Sequence, residues 1–209
     1  MSRVHAKICG IQDDAALTAA IEGGAAFVGF VFYPPSRNAV TATTARALAE
    51  KVPRHITKVG LLVDATDDLV RALLDEVPLD LLQLHGVETP ERVAALKALT
   101  GLPIMKALRL KTPQQLEAAS LYEAVADRLL FDSRIGNESS GGPIDWRLLK
   151  GRHFTKPWML AGGLTAANLA EAVRQSGATA VDVSSGVEDE TGHKNPAKIR
   201  EFLAVAAGL

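Results

Sequence analysis

The sequence predicts a (β/α)8 barrel on three observations. Apolar runs of strand length alternate eight times with stretches of helical period, and 209 residues suffice for a complete barrel at the short end of its size range. Small-residue turns, rich in glycine and serine, also follow the last two apolar runs. Such alternation gives a parallel sheet with crossover helices, and eight units is the count that closes it. The open, doubly wound sheet is the rival arrangement of the same pattern. In both, ligands bind beyond the carboxyl ends of the strands, so chemistry belongs there.

Taken in order, the strand from Val4 to Cys9 precedes an amphipathic stretch from Asp13 to Glu22, and Ala26 to Phe32 precedes Thr41 to Lys51. Thr57 to Val63 leads to Asp67 to Glu76, Leu79 to Leu84 to Thr89 to Leu99, and Pro103 to Leu108 to Thr112 to Ser120. Arg128 to Phe131 runs into a polar, glycine-rich loop and a short helical turn from Asp145 to Leu149. Pro157 to Ala161 is followed by Thr165 to Gln175, and Thr179 to Val183 by Pro196 to Ala207. Asp13, Thr41, Asp67, Thr89, Thr112, Asp145 and Thr165 stand where a side-chain oxygen can accept from the first free helical N–H groups. Gly23-Gly24, Gly101 and Gly177 fall where helices stop. No linker or low-complexity segment divides the chain, so one domain spanning 1–209 is expected.

Composition narrows the function classes. A chain 47% apolar and 22% charged buries a sizeable core, and a net charge of −1 without like-charged blocks offers no stripe for nucleic acid or an anionic membrane. No segment approaches the roughly 20 apolar residues of a membrane span, so a cytoplasmic location is expected. Cys9 is the only cysteine, which rules out an intrachain disulfide and any multi-cysteine metal or redox site. His55, His153 and His193 have no H-x-x-x-H partner, so no metal is expected.

The candidate site follows from the strand ends. Gly162-Gly163-Leu164 and Ser184-Ser185-Gly186-Val187 let a backbone approach a ligand closely with outward N–H groups, and a helix beginning just beyond each would add the positive end of its dipole. Two such loops on strands 7 and 8 suggest one phosphate held from both sides by Gly162, Gly163, Ser184, Ser185 and Gly186. Alternation puts Val4, Ala6 and Ile8 on one face of the first strand and His5, Lys7 and Cys9 on the other. If the apolar face meets the helices, Cys9 points into the barrel mouth. There, cationic or dipolar neighbours would lower its pKa toward neutrality and make it a base or nucleophile; a buried small hydrophobe is the alternative. Asp132 ends the sixth strand, where desolvation suits a carboxyl to general-acid work, or else it caps the following loop. Gln83 and His85 close the fourth strand as groups that orient a substrate or serve the structure, and Asp182 is placed for a sugar hydroxyl or a supporting hydrogen bond.

These residues carry a resemblance. Lys7-Ile8-Cys9-Gly10-Ile11, Gly29-Phe30-Val31-Phe32-Tyr33-Pro34, Leu82-Gln83-Leu84-His85-Gly86, Leu160-Ala161-Gly162-Gly163-Leu164 and Val181-Asp182-Val183-Ser184-Ser185-Gly186-Val187-Glu188 resemble, in order, the signatures of the phosphoribosylanthranilate isomerases. The resemblance implies a (β/α)8 barrel, no cofactor, and a step of tryptophan biosynthesis. That step is the Amadori rearrangement of N-(5-phosphoribosyl)anthranilate to the carboxyphenylamino-deoxyribulose phosphate. It further implies Cys9 as general base, Asp132 as general acid, and Gly163, Ser184 and Ser185 as phosphate ligands. The partner implied is a small phosphorylated substrate, with monomer and homodimer both open.

Two stretches depart from the family pattern. The arginine expected two residues after the serine of the Tyr-Pro-x-Ser segment, which binds the anthranilate carboxylate, is replaced by Asn38, with Arg37 one place early. A local loop shift would make Arg37 the ligand. After strand 6 the usual glycine-rich pattern reads Glu138-Ser139-Ser140-Gly141-Gly142-Pro143-Ile144-Asp145-Trp146 and lacks its lysine. From the residues alone, two other functions fit a phosphate-binding barrel. One is a phosphosugar aldolase or lyase with a Schiff-base Lys7 or Lys106, and the other is a non-catalytic phosphometabolite binder.

Overall fold

In the computed structural model, residues 4–133 and 145–209 are described. They form eight parallel strands in one closed ring: β1 His5–Cys9, β2 Phe27–Val31, β3 Thr57–Leu62, β4 Leu81–Leu84, β5 Ile104–Arg109, β6 Arg128–Asp132, β7 Trp158–Leu160 and β8 Ala180–Val183. β1 pairs with both β2 and β8, which excludes the open sheet. The helices are α1 Asp14–Glu22, α2 Ala42–Ala49, α3 Asp67–Glu76, α4 Pro90–Thr100, α5 Pro113–Glu117, α6 Ala119–Glu123, α7 Leu169–Ser176 and α8 Pro196–Ala207.

Asp13, Thr41 and Thr89 cap their helices by accepting the N–H three residues on, while Thr112 and Gln115 form a reciprocal capping box. Gly101 and Gly177 end α4 and α7 at φ +66° and +76°, the left-handed region that glycine enters without strain. Two expected caps move. Thr66 rather than Asp67 caps α3, because its hydroxyl accepts from Leu69 N and leaves Asp67 in the first turn. Thr165 opens a turn closed by Asn168, and α7 starts only at Leu169. The stretch expected as one helix from Thr112 to Ser120 divides at Ala118 into α5 and α6. A 3₁₀ turn at Trp146–Leu149 capped by Asp145 stands after β6.

Strand alternation sorts the core into three clusters. Val4, Ala6, Ile8, Val28, Phe30, Leu82, Leu84, Val181 and Val183 face outward and pack with the helices. The inward residues Phe27, Val59, Leu81, Met105, Leu130, Met159 and Ala180 fill the lower barrel as an apolar plug. Nearer the mouth the inward set changes character: Cys9, Val31 and Leu61 cluster there. Lys7, Gln83 and Asp182 occupy further inward positions, all buried. Burying charge is costly unless it is paired, and Lys7 Nζ lies 2.9 Å from Asp182 Oδ1.

Lys106 stands between inward Met105 and Ala107 and therefore turns to the helix side. There its ammonium donates to the carbonyls of Leu84 and Gly86 and to Glu88 Oε2 at 2.8 Å. Glu88 also accepts from the N–H groups of Asp64 and Gly86, so Lys106 is committed to tying the β4–α4 loop in place.

Candidate active site

The carboxyl ends of the strands bring Cys9, His85, Arg109, Asp132, Asp182 and Ser184 onto the inward face of the mouth. Cys9 ends β1 as expected and is 4% exposed. The carbonyl of Gly29 on β2 accepts from both Gly10 N and Ile11 N, which turns the chain sharply after the thiol. Gly29 is glycine for a steric reason. A β-carbon built there would sit 3.1 Å from Cys9 Sγ and 3.2 Å from Lys7 Nζ, so any side chain would intrude between sulfur and ammonium.

The expectation of a thiol lowered toward neutrality is not met. Burial pushes the Cys9 thiol up, Lys7 and Lys194 pull it back and Asp182 opposes them, leaving it above its ordinary value. Lys7 also stays high, because Asp182 and Cys9 outweigh the effect of its own burial. Asp182 is thus engaged by Lys7 through Oδ1.

Across the mouth, Asp132 is partly buried, and His85 Nε2 stands 3.5 Å from its Oδ2. Gln83 Nε2 lies 2.7 Å from His85 Nδ1, and the other ring nitrogen, Nε2, faces the carboxylate. Gln83, His85 and Asp132 thus form a chain of polar contacts within the inward set. Arg109, in register with Asp132, was not singled out from the sequence, although strand alternation alone would have placed it at the mouth.

At the other rim, Gly162 and Gly163 adopt φ +88° and +69°. A β-carbon on Gly186 would fall 1.8 Å from Leu164 O, so the β7 and β8 loops touch backbone to backbone. Among the described residues, the N–H groups of Gly163, Ser185 and Gly186 donate to no protein acceptor. Two full helix dipoles are not what stands behind this cradle. α7 starts at Leu169, and Ser184 is followed by a three-residue 3₁₀ turn at Ser185–Val187, with α8 beginning only at Pro196. Free N–H groups and a nearby cation remain. Lys194 Nζ donates to Ser184 O at 3.1 Å and to Ser184 Oγ at 3.0 Å.

The sequence pointed to no role for Lys194 or Glu188, because the link between them closes across a short loop that has no periodicity. Glu188 Oε1 accepts from Lys194 at 2.7 Å and from Asn38 Nδ2 at 3.0 Å, while Oε2 accepts from Arg37. Burial acts to raise this carboxyl, but Lys194, Asn38 and Arg37 together hold it below its ordinary value. Asn38 is 8% exposed and lies against Gly10, whereas the Arg37 side chain is 64% exposed. The two meet one carboxylate from inside and from the rim. Stretch 134–144, which contains Gly141 and most of the departure after strand 6, lies outside the described residues, as do residues 1–3.

No helix among the described residues is long and apolar enough to cross a membrane, and none of their His, Cys, Asp or Glu residues form a group of three or more arranged to hold a metal ion. The profile of the family described as N-(5'phosphoribosyl)anthranilate (PRA) isomerase matches residues 6–205. The chain is 51% identical to N-(5'-phosphoribosyl)anthranilate isomerase of Rhodospirillum centenum, over 99% of both chains. The crystal structure of phosphoribosyl anthranilate isomerase from Thermotoga maritima superposes with a TM-score of 0.88 at 32% identity, over 99% of this chain and 100% of that one. A phosphoribosyl anthranilate isomerase in complex with reduced 1-(o-carboxyphenylamino)-1-deoxyribulose 5-phosphate superposes at 0.83 with 31% identity, over the same shares of the two chains. With its profile matched almost end to end and its barrel shared, this chain belongs to the N-(5'-phosphoribosyl)anthranilate isomerase family.

Proposed function

We propose that this chain is the isomerase that rearranges N-(5'-phosphoribosyl)anthranilate to 1-(o-carboxyphenylamino)-1-deoxyribulose 5-phosphate, in tryptophan biosynthesis. The observation that carries the reading is the pairing of family membership with a thiol and a carboxyl on the inward ends of β1 and β6. The phosphate rests on the N–H groups of Gly163, Ser185 and Gly186, with Gly162 shaping the first loop and Lys194 steadying Ser184. Arg37 meets the anthranilate carboxylate from the rim, its guanidinium held in place by Glu188.

Asp132 delivers a proton to the ribose ring oxygen, and the C1′–O4′ bond breaks to give the protonated imine. As Asp132 becomes charged, His85 Nε2 faces it, and a proton held there stabilises the carboxylate. Cys9, in its deprotonated fraction with the Lys7 ammonium nearby to stabilise it, then removes the C2′ proton, and the electron pair moves into the C1′–C2′ bond to give the enolamine. The enol O–H proton leaves, C1′ gains one, and the ketone results. Substrate and product are isomers: the ring C1′–O4′ bond opens, protons are redistributed, and no oxidant, reductant or co-reactant is consumed.

A Schiff-base aldolase is disfavoured by the same geometry: Lys106 faces the helices and Lys7 is locked to Asp182. The test is a fluorescence assay of the purified protein with phosphoribosylanthranilate, run beside Cys9→Ala. Turnover by the wild type and none by the variant is expected; no turnover by the wild type overturns the reading.

A further inference from the structure

We propose that Lys7 is a positioning residue that sets the proton affinity of Cys9, and that Asp182 holds its ammonium against the sulfur. The inference rests on Cys9 being the base and goes beyond it, because it says what governs that base.

Lys7 and Cys9 are inward neighbours on β1, and Asp182 is the residue in register with Lys7 on β8, so backbone pairing alone places the three together. Lys7 has no exposed surface, and its ammonium reaches Asp182 Oδ1 at 2.9 Å. The space beside it is kept open by Gly29, whose missing β-carbon would touch sulfur and ammonium alike. Stability alone does not account for such a pair, since apolar residues of similar volume often match or exceed a buried ion pair. A lysine next to a thiol is different in kind from one next to a leucine, because it stabilises the thiolate directly.

Other charges also face Cys9. Lys194 approaches from the segment before α8, but Glu188 and both Ser184 oxygens already engage it. From the opposite strands His85 and Asp132 face the same mouth and each other. Lys7 is the cation closest along the strand, and Asp182 attenuates it. The two therefore act on Cys9 with opposite signs: removing the lysine charge raises the thiol, and removing the aspartate charge lowers it.

Because the chain has a single cysteine, far-ultraviolet thiolate absorbance, taken as a difference from Cys9→Ala, titrates Cys9 directly and without catalysis. In Lys7→Met we expect the titration midpoint, and with it the acid limb of kcat/KM, to move up by at least about one pH unit, the usual effect of losing a charge at this range. In Asp182→Asn both should move down, and Lys7→Arg should restore the wild-type position. If Lys7→Met fails to fold around a lone buried carboxylate, Lys7→Met with Asp182→Leu removes both charges and should still shift the midpoint up. A midpoint within about half a unit of wild type in folded Lys7→Met, or in Lys7→Met with Asp182→Leu where the single variant does not fold, would overturn the proposal. A midpoint that moves while the kcat/KM limb stays fixed would instead leave Lys7 in charge of the thiol and remove Cys9 as the base.

Discussion

Replacing Glu188 by alanine removes the one carboxylate that Lys194, Asn38 and Arg37 share, and its cost can be worked from the contacts. Lys194 has no exposed side-chain surface, so the substitution leaves a buried ammonium without its counter-ion. Breaking such a pair from one side costs roughly 3–5 kcal/mol. Lys194 keeps two acceptors, Ser184 O and Oγ, which places the expected loss at the low end, about 3 kcal/mol. For a chain of this length about 2–4 °C of melting temperature accompanies each kcal/mol, so Tm should fall by about 6–12 °C.

The pH dependence has a definite sign. Glu188 is held below its ordinary value of 4.5, so its contribution is present above that pH and is lost as pH falls through the lower folded-state value. Wild type and Glu188→Ala should therefore converge in strongly acidic buffer. Thermal melts at neutral and acidic pH measure both effects. Pairing Glu188→Leu with Lys194→Met should recover most of the loss, since neither charge is then stranded. A single variant that melts within about 2 °C of wild type at neutral pH would mean that the Glu188 network contributes no such stability.

Cys9→Ala and Asp132→Asn should each lower kcat by at least roughly 100-fold with the fold intact, and near wild-type turnover in both would defeat the acid–base assignment. Arg37→Ala should chiefly raise KM in steady-state assays; if Asn38→Ala does so while Arg37→Ala does not, the inner residue is the carboxylate ligand. Gly186→Ala should unfold or badly distort the β8 loop, because its methyl would meet Leu164 O at 1.8 Å, whereas Gly163→Ala meets open space and bears only the strain of φ +69°. That contrast should appear as a much larger loss of Tm in Gly186→Ala.

Fold and site were legible in the sequence to the extent that strand alternation controls them. The inward set on β1 followed from the apolar face of Val4, Ala6 and Ile8, and the same rule would have found Arg109. Helix starts were read less well where two capping side chains compete, as at Thr66 and Asp67. The state of the thiol is not legible from sequence, because burial, a property of the closed barrel, opposes the cations that sequence proximity suggests. Glu188 and Lys194 stayed invisible for a related reason: their bond bridges the antiparallel bridge of Glu188 with Lys194, a loop feature that no hydrophobic period announces.

The architecture divides the labour of the site between strands and loops. Cys9, Lys7, Asp182, Gln83 and Asp132 stand on strands hydrogen-bonded to neighbours on both sides, above an apolar plug. Arg37, Asn38, Gly163, Ser185 and Glu188 stand on loops tied to one another by side chains and backbone contacts. Proton transfer tolerates little displacement between donor and acceptor, whereas an anion is held by several N–H groups that can share a small error. On the proposed mechanism, the strand residues would carry the steps that need fixed distances and the rim loops would carry recognition. Perturbing the Lys7–Asp182 pair should accordingly be felt in kcat and its pH profile, and perturbing the Glu188 network in KM and in the stability of the rim.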